Sequence, residues 1–376
     1  MVESLSASFL EHFGNCEKLT PNIDRLFERS MVFTNVRAAG TRTVYGLAAV
    51  NLSIPPIPGN SIIRRRDNEN LSTIGSILKE NGYACKFVYG GFGYFDNMNY
   101  FFENNDYEII DRNKIDKKNI TFANNWGICD EDLFDAVIRE ADKSAETKQP
   151  FFLMVMTTSN HRPFSYPDGK IDIPSKTGRA GGVKYTDFAI GQFLEQAKDK
   201  GVWFEDTIFV ITADHTAGSA GKLELDPSKY HIPLIIFAPK HIAPQAVNTL
   251  ASQIDIGPTL LALLNLSYES KFFGHDILAT KNERAFISNY QRIGYLNPSK
   301  LIIFKPINQA EIYKKNGDEF TKTDEKDNNL QREALQYFQS ATKWRSWNKK
   351  KKEKYSTEQK SARMASPTGF EPVLPP

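Results

Sequence analysis

The sequence predicts an α/β protein, a large and mostly parallel sheet flanked by helices. Apolar runs of strand length recur at 84–89, 151–156, 207–213 and 232–237, and stretches of helical periodicity separate them. Polar residues come directly after two of these runs. Alternation of this kind marks parallel βαβ construction, in which ligands collect beyond the carboxyl ends of the strands.

Each element has its own signal. Ile23 to Arg29 reads as a helix, and Val44 to Val50 as a short helix after the loop Gly40-Thr41-Arg42-Thr43. Leu71 to Asn81 is an amphipathic helix that passes through Gly82 into the strand Ala84 to Tyr89. Asp130 to Ala145 places Leu133, Phe134, Val137 and Ile138 on one helical face ahead of the strand Phe151 to Met156. Arg162 to Gly182 is rich in Pro, Gly, Ser and Lys and reads as a surface loop able to act as a lid. Lys184 to Lys200 reads as a helix before the strands near 207 and 233. Ile254-Asp255-Ile256-Gly257-Pro258 opens another helix, with proline in the first turn where its missing N–H costs little.

Asp214 and His215 carry the strongest functional signal. They set a hard carboxylate and an imidazole where the run Thr207 to Ala213 stops. The plain alternative is a turn, with Asp214 capping the next segment and His215 exposed. Two further segments favour a site: Met1-Val2-Glu3 reads as the tail of a strand ending in a carboxylate, and the Thr41-Arg42-Thr43 loop brings hydroxyls to a helix start. A threonine hydroxyl becomes a useful nucleophile when a divalent cation and a helix N-terminus stabilise its alkoxide and the anion it attacks. Glu3, Thr43, Asp214 and His215 would form a mostly oxygen site with one imidazole, suited to Mn²⁺, with Mg²⁺ and Zn²⁺ as alternatives.

Several motifs in order then carry a resemblance: Pro21 to Leu26 with Phe33-Thr34-Asn35, the Gly-Thr-Arg-Thr loop, Thr158 to Phe164, Ala213-Asp214-His215, and Gln253 to Leu261. Over roughly residues 1–280 the chain resembles the sulfatase-type members of the alkaline phosphatase superfamily, nearest to the lipoteichoic acid synthase and phosphoglycerol transferase branch. The resemblance implies an alkaline-phosphatase-like sandwich, Thr43 as covalent nucleophile with Thr41 as the alternative, and Glu3, Thr43, Asp214 and His215 around one cation. It further implies that His161, Arg42 and His231 meet the substrate, against the plain readings of a histidine satisfying a loop carbonyl or a strand entry. Arylsulfatases carry Cys or Ser in a Cys/Ser-x-Pro-x-Arg motif, which Thr41-Arg42-Thr43 lacks. Phosphoryl transfer is therefore expected before sulfuric ester hydrolysis. The donor would be a phospholipid headgroup and the acceptor a glycan. An inactive, N-terminally truncated fragment is the remaining reading.

One departure leaves the headgroup open. Tyr89 to Met98 stands where the branch grips glycerol phosphate with an arginine, and here Arg42 or Arg162 would have to supply the cation. Phe92, Tyr94, Phe95, Tyr100, Phe101 and Phe102 fit either an acceptor cleft or core packing.

The remaining features bound the function. With 40% hydrophobic residues, 24% charged residues and a net charge of +2, the chain argues against a nucleic-acid partner. Three cysteines, Cys16, Cys85 and Cys129, have neither a disulfide framework nor zinc spacing. No apolar run of about 18 residues is present, whereas the branch carries membrane-spanning helices ahead of an extracytoplasmic domain. Membrane attachment is thus expected only through a region ahead of Met1. The expected division is 1–285 as catalytic domain with a shortened first strand, 286–343 as its C-terminal part, and 344–376 as a basic extension with a non-functional, proline-containing tail.

Overall fold

A computed structural model describes residues 1–200, 202–219, 225–317 and 319–348. The first half contains α1 (Pro21–Phe27), β1 (Met31–Arg37), α2 (Thr43–Leu52), α3 (Ile74–Glu80), β2 (Ala84–Tyr89), α4 (Met98–Glu103), β3 (Glu108–Ile110), α5 (Asp130–Glu146) and β4 (Phe151–Met156). Next come α6 (Arg179–Lys200), β5 (Phe209–Thr212), β6 (His231–Phe237), β7 (Gln245–Val247), β8 (Ala251–Ser252) and α7 (Ile256–Leu263). The chain then runs through β9 (Ala285–Ser288), β10 (Ile293–Leu296), β11 (Lys300–Lys305), β12 (Gln309–Asn316) and β13 (Glu319–Thr323) to α8 (Asn328–Asn348).

The main sheet comes in two parts. One has the order β3-β2-β4 and is parallel throughout. The other has the order β5-β6-β1-β7, with β8 also on β1. Here β6 runs antiparallel to both β5 and β1, while β7 and β8 are parallel to β1. Met1 to Glu3 joins the two parts: Val2 pairs in parallel with Ala213, and Met1 lies against Val155 and Thr157 of the β4 side. The large sheet is thus mostly parallel, as expected, and mixed only at β6, which runs against its neighbours. Residues such as Phe33, Phe87, Val88, Leu234 and Ile235 are almost wholly buried, because helices cover both faces of the sheet.

The C-terminal part is an antiparallel meander, β13-β12-β11-β10-β9, beginning at Ala285. The end at residue 343 requires correction. Leu330, Ala334, Phe338, Ala341 and Trp344 continue one helical stripe into the core, and Trp344 is fully buried with Nε1 donating to the Lys271 carbonyl at 2.7 Å. Asn348 still accepts from the Ser72 amide at 2.7 Å. The four lysines at 349–352 and the tail lie outside the described residues. Helix α6 also begins five residues before the expected Lys184. Gly181 and Gly182, expected in a loop, instead let the helix approach: a Cβ on Gly181 would fall 2.1 Å from the Tyr166 hydroxyl, and one on Gly182 3.1 Å from Asn160. Among the described residues no helix is long and apolar enough to cross a membrane.

Candidate active site

The carboxyl edge of the parallel strands gathers the expected residues. Strand β5 delivers Asp214 and His215, the first three residues deliver Glu3 beside them, and α2 starts at Thr43. The contact between α2 and the Asp214 turn has no room for a side chain: a Cβ on Gly46 would lie 2.1 Å from the Asp214 carbonyl oxygen. Gln253 fixes the same turn from the other side. Its Nε2 donates to the carbonyls of Ala213 at 2.8 Å and Asp214 at 3.0 Å, while its Oε1 accepts from the Ala39 amide at 3.0 Å.

Glu3, Asp214 and His215 are all buried, and one ligand atom of each lies within 4.8 Å of the others. His215 Nδ1 bonds the Thr216 carbonyl at 2.9 Å, which turns Nε2 toward Asp214 Oδ2 at 3.4 Å and Glu3 Oε1 at 3.8 Å. Asp214 Oδ1 accepts from the amides of Ser4 at 2.8 Å and His215 at 2.7 Å. Asp214 Oδ2, in contrast, is buried without a hydrogen-bond partner. An orphaned carboxylate oxygen facing an imidazole nitrogen and a second carboxylate fits a cation, because a buried charge otherwise demands pairing. Burial, and then the Glu3 carboxylate, push the Asp214 carboxyl up to about 6. Burial opposes a charge on His215, but Asp214 and Glu3 outweigh it and raise its pKa.

Thr43 is half-buried at the first position of α2, and its hydroxyl lies 3.4 Å from Glu3 Oε2. Thr41, the alternative nucleophile, is buried and 7% exposed. Arg42 immediately precedes the helix and is exposed. His161 lies within electrostatic reach of Asp214 and His215, and burial lowers its pKa. Its ring packs on Trp126 with centroids 3.6 Å apart, and Trp126 in turn meets Phe95 edge-on. Of the aromatic group at 92–102, Phe101 and Phe102 are core, whereas Tyr94, Phe95 and Tyr100 are exposed.

His231 is held elsewhere on the sheet. Its Nε2 bonds the Thr34 carbonyl at 2.8 Å and its ring meets Phe13, and none of these contacts involves the carboxylate cluster. Burial, and then Arg37, bring its pKa down to about 4, so the ring is neutral near pH 7. Sequence reasoning misses Arg179, at the start of α6. It lies over the Phe164 ring and donates to the Asn160 carbonyl at 3.4 Å, with Glu3 and Asp214 within electrostatic reach. A lone arginine inside an expected loop carries no signal, and the earlier helix start is what brings it to the cluster.

A protein of the alkaline phosphatase superfamily from Vibrio parahaemolyticus superposes with a TM-score of 0.87 at 32% identity, covering 93% of this chain and 87% of that one. The lipoteichoic acid synthase LtaP from Listeria monocytogenes shares the fold with a TM-score of 0.78 at 19% identity, covering 93% and 91%. The Sulfatase family model matches residues 1–266, so the chain belongs to the sulfatase family. It is 25% identical over 294 residues to phosphoglycerol transferase I of Xanthomonas campestris pv. campestris, and 24% identical over 319 residues to the lipoteichoic acid synthase-like protein YvgJ of Bacillus subtilis. Those alignments take in 74% of this chain but 42% and 49% of the relatives, so the chain spans less than half of their length.

Proposed function

We propose that this chain carries the catalytic unit of a metal-dependent phosphotransferase that moves phosphoglycerol, or a similar lipid headgroup, to a glycan hydroxyl. The observation that carries the reading is the orphaned Asp214 Oδ2 in the buried Glu3, Asp214 and His215 cluster, which faces the Thr43 hydroxyl. Glu3, Asp214 and His215, joined by Thr43, would hold one divalent cation, with Mn²⁺ best suited to the donor set and Mg²⁺ or Zn²⁺ as alternatives. When bound, the ion would stabilise the threonine alkoxide and the phosphoryl oxygens.

Thr43 Oγ then attacks the headgroup phosphorus and gives up its proton, the bond to the diacylglycerol oxygen breaks, and that oxygen takes up a proton from solvent and leaves as the alcohol. An acceptor hydroxyl attacks the phospho-threonine in the second half, loses its proton and returns Thr43. At the start of α2 the Tyr45 and Gly46 amides donate to the Arg42 carbonyl at 3.0 and 3.4 Å, so the Thr43 and Val44 amides are the ones that would meet the phosphoryl group. Arg42 and Arg179 are the nearby cations for the phosphate charge; His161, held on Trp126 with its Nδ1–H given to the Arg162 carbonyl at 2.9 Å, donates from Nε2 to a phosphate oxygen only as the imidazolium, which the phosphate charge favours. His231, neutral and tied to Thr34, contributes at most through Nδ1 at the rim of a larger substrate. The exposed Phe95, beside Trp126, offers a stacking surface for a sugar acceptor.

Water as acceptor gives the second reading, a phosphodiesterase. The test is release of diacylglycerol from phosphatidylglycerol vesicles with Mn²⁺, with and without a glycan acceptor. Thr43→Ala should remove turnover by a factor of about 10³ or more while leaving the fold intact. Turnover retained in that variant, or faster cleavage of an aryl sulfate, would reject the proposal.

A further inference from the structure

Strand β2 ends at Tyr89, on the same carboxyl edge as the carboxylate cluster, with β4 between them. Tyr89 pairs with Met156, and the next residue, Thr157, accepts the Glu3 amide on its Oγ1 at 3.0 Å. The Tyr89 side chain is buried in an aromatic stack, its ring 5.9 Å from that of Phe87, which lies 3.9 Å from Phe102. Its hydroxyl sits against Gly91, where a Cβ would fall 2.6 Å from the phenol oxygen and 2.7 Å from the Trp126 carbonyl oxygen. Only glycine at position 91 leaves the hydroxyl this place. Glu3, Asp214 and Asp96 all lie within electrostatic reach of the phenol.

A buried tyrosine hydroxyl ordinarily has a hydrogen-bond partner. Among the described residues the Tyr89 hydroxyl bonds to none. The anions around it are engaged elsewhere: Glu3 Oε1 accepts from Ser4 Oγ at 2.7 Å, Asp214 Oδ1 from the amides of Ser4 and His215, and Asp96 Oδ1 pairs with Arg64 Nε at 3.2 Å. Tyr89 therefore presents a rigidly held donor without an acceptor, beside the cluster that faces the Thr43 hydroxyl.

We propose that Tyr89 is a further catalytic residue, whose hydroxyl donates a hydrogen bond to a non-bridging oxygen of the phosphoryl group that Thr43 attacks. The inference rests on the phosphoryl-transfer reading above and deepens it. Burial first, and then Glu3, Asp214 and Asp96, raise the pKa of the phenol, so its proton is available for donation throughout the neutral range. The hydrogen bond meets the charge spread over the phosphoryl oxygens in the transition state, and no proton changes hands. Tyr89 approaches from β2, whereas His161 follows β4 and Arg179 opens α6, so the three donors come from different elements. The ring is already fixed on Phe87, so the donor is oriented before substrate arrives.

Tyr89→Phe removes the oxygen and leaves the stack on Phe87 in place. Orthovanadate, a mimic of the transferring phosphoryl group, is titrated by calorimetry into the full chain and the variant with Mn²⁺ present, and phosphatidylglycerol turnover is followed beside it. The variant should keep its melting temperature, bind orthovanadate about tenfold or more weakly, and lose about 100-fold in kcat with KM little changed. Equal orthovanadate affinity in the two proteins, or an unchanged kcat, would overturn the proposal, and so would a parent chain that binds no orthovanadate. A melting temperature lowered by more than about 5 °C would return Tyr89 to a packing role. A parent that binds orthovanadate more tightly than the variant but leaves phosphatidylglycerol uncut would uphold Tyr89 and sink the headgroup reading instead.

Discussion

Replacing Gly46 with alanine probes how closely α2 must sit on the Asp214 turn. The added Cβ would lie 2.1 Å from the Asp214 carbonyl oxygen, 2.7 Å from its carbonyl carbon and 2.9 Å from its Cα. All three are backbone atoms, so no side-chain rotation relieves the overlap. Reaching even 3.0 Å from the oxygen requires the helix and the turn to part by about 1 Å. Overpacking of this kind costs about 1–3 kcal/mol, set against the roughly 1 kcal/mol by which alanine favours a helix over glycine. Thr43 lies one turn away on the same helix and moves with it. A misplacement of about 1 Å at a reacting group can cost about 100-fold in rate. Urea unfolding should therefore show a net loss of up to about 2 kcal/mol, and headgroup release should fall about 100-fold. A variant as stable as the parent, or more so, with unchanged turnover would refute the close seating of α2 against the Asp214 turn.

Three further outcomes are expected from individual contacts. Arg179→Ala should lower kcat/KM for the phospholipid about tenfold or more, mainly through KM, because the guanidinium sits near the carboxylate cluster at the start of α6; an unchanged KM would remove it from the site. Trp344→Ala should cost about 3–5 kcal/mol in urea unfolding, as a fully buried indole with a bonded N–H is removed; a loss below about 1 kcal/mol would return residue 344 to a solvated extension. His231 has its pKa lowered from 6.5 to about 4, so the unfolded chain binds the extra proton between those values. Its contribution to stability is present above pH 6.5 and is lost as pH falls through 4, with about 2 kcal/mol lost between pH 7 and pH 5. His231→Gln, which retains a donor for Thr34, should flatten that part of the stability curve; an unchanged slope would contradict it.

Much of the fold was readable because buried parallel strands write themselves as continuous apolar runs. Strands β2 and β4 fall at their expected bounds, and α5 ends within a residue of its expected end. Asp214 and His215 were legible for a related reason, since a polar pair stands out where such a run stops. Gln253 was not, because its bonds to Ala213 and Asp214 span 40 and 39 positions and amide donors have no sequence signature. Gly46 looks like any helical glycine until the Asp214 carbonyl is placed against it. The pair Gly181-Gly182 misled in the opposite direction, because close helix packing and a loop use the same residue. Trp344 was judged by the lysines beyond it, although its spacing from Phe338 and Ala341 already placed it on the buried stripe.

Metal binding by the Asp214 carboxylate tests the central claim most directly. Thermal unfolding of the chain would be monitored as Mn²⁺ is added, beside Asp214→Asn, which keeps an acceptor for Ser4 and His215 but loses the charge. At 100 times the dissociation constant, a cation that binds only the folded state adds about 2.7 kcal/mol. The account predicts a rise in melting temperature for the parent chain that is lost in the variant. No rise in the parent, or an equal rise in both, would contradict a cation site built on Glu3, Asp214 and His215.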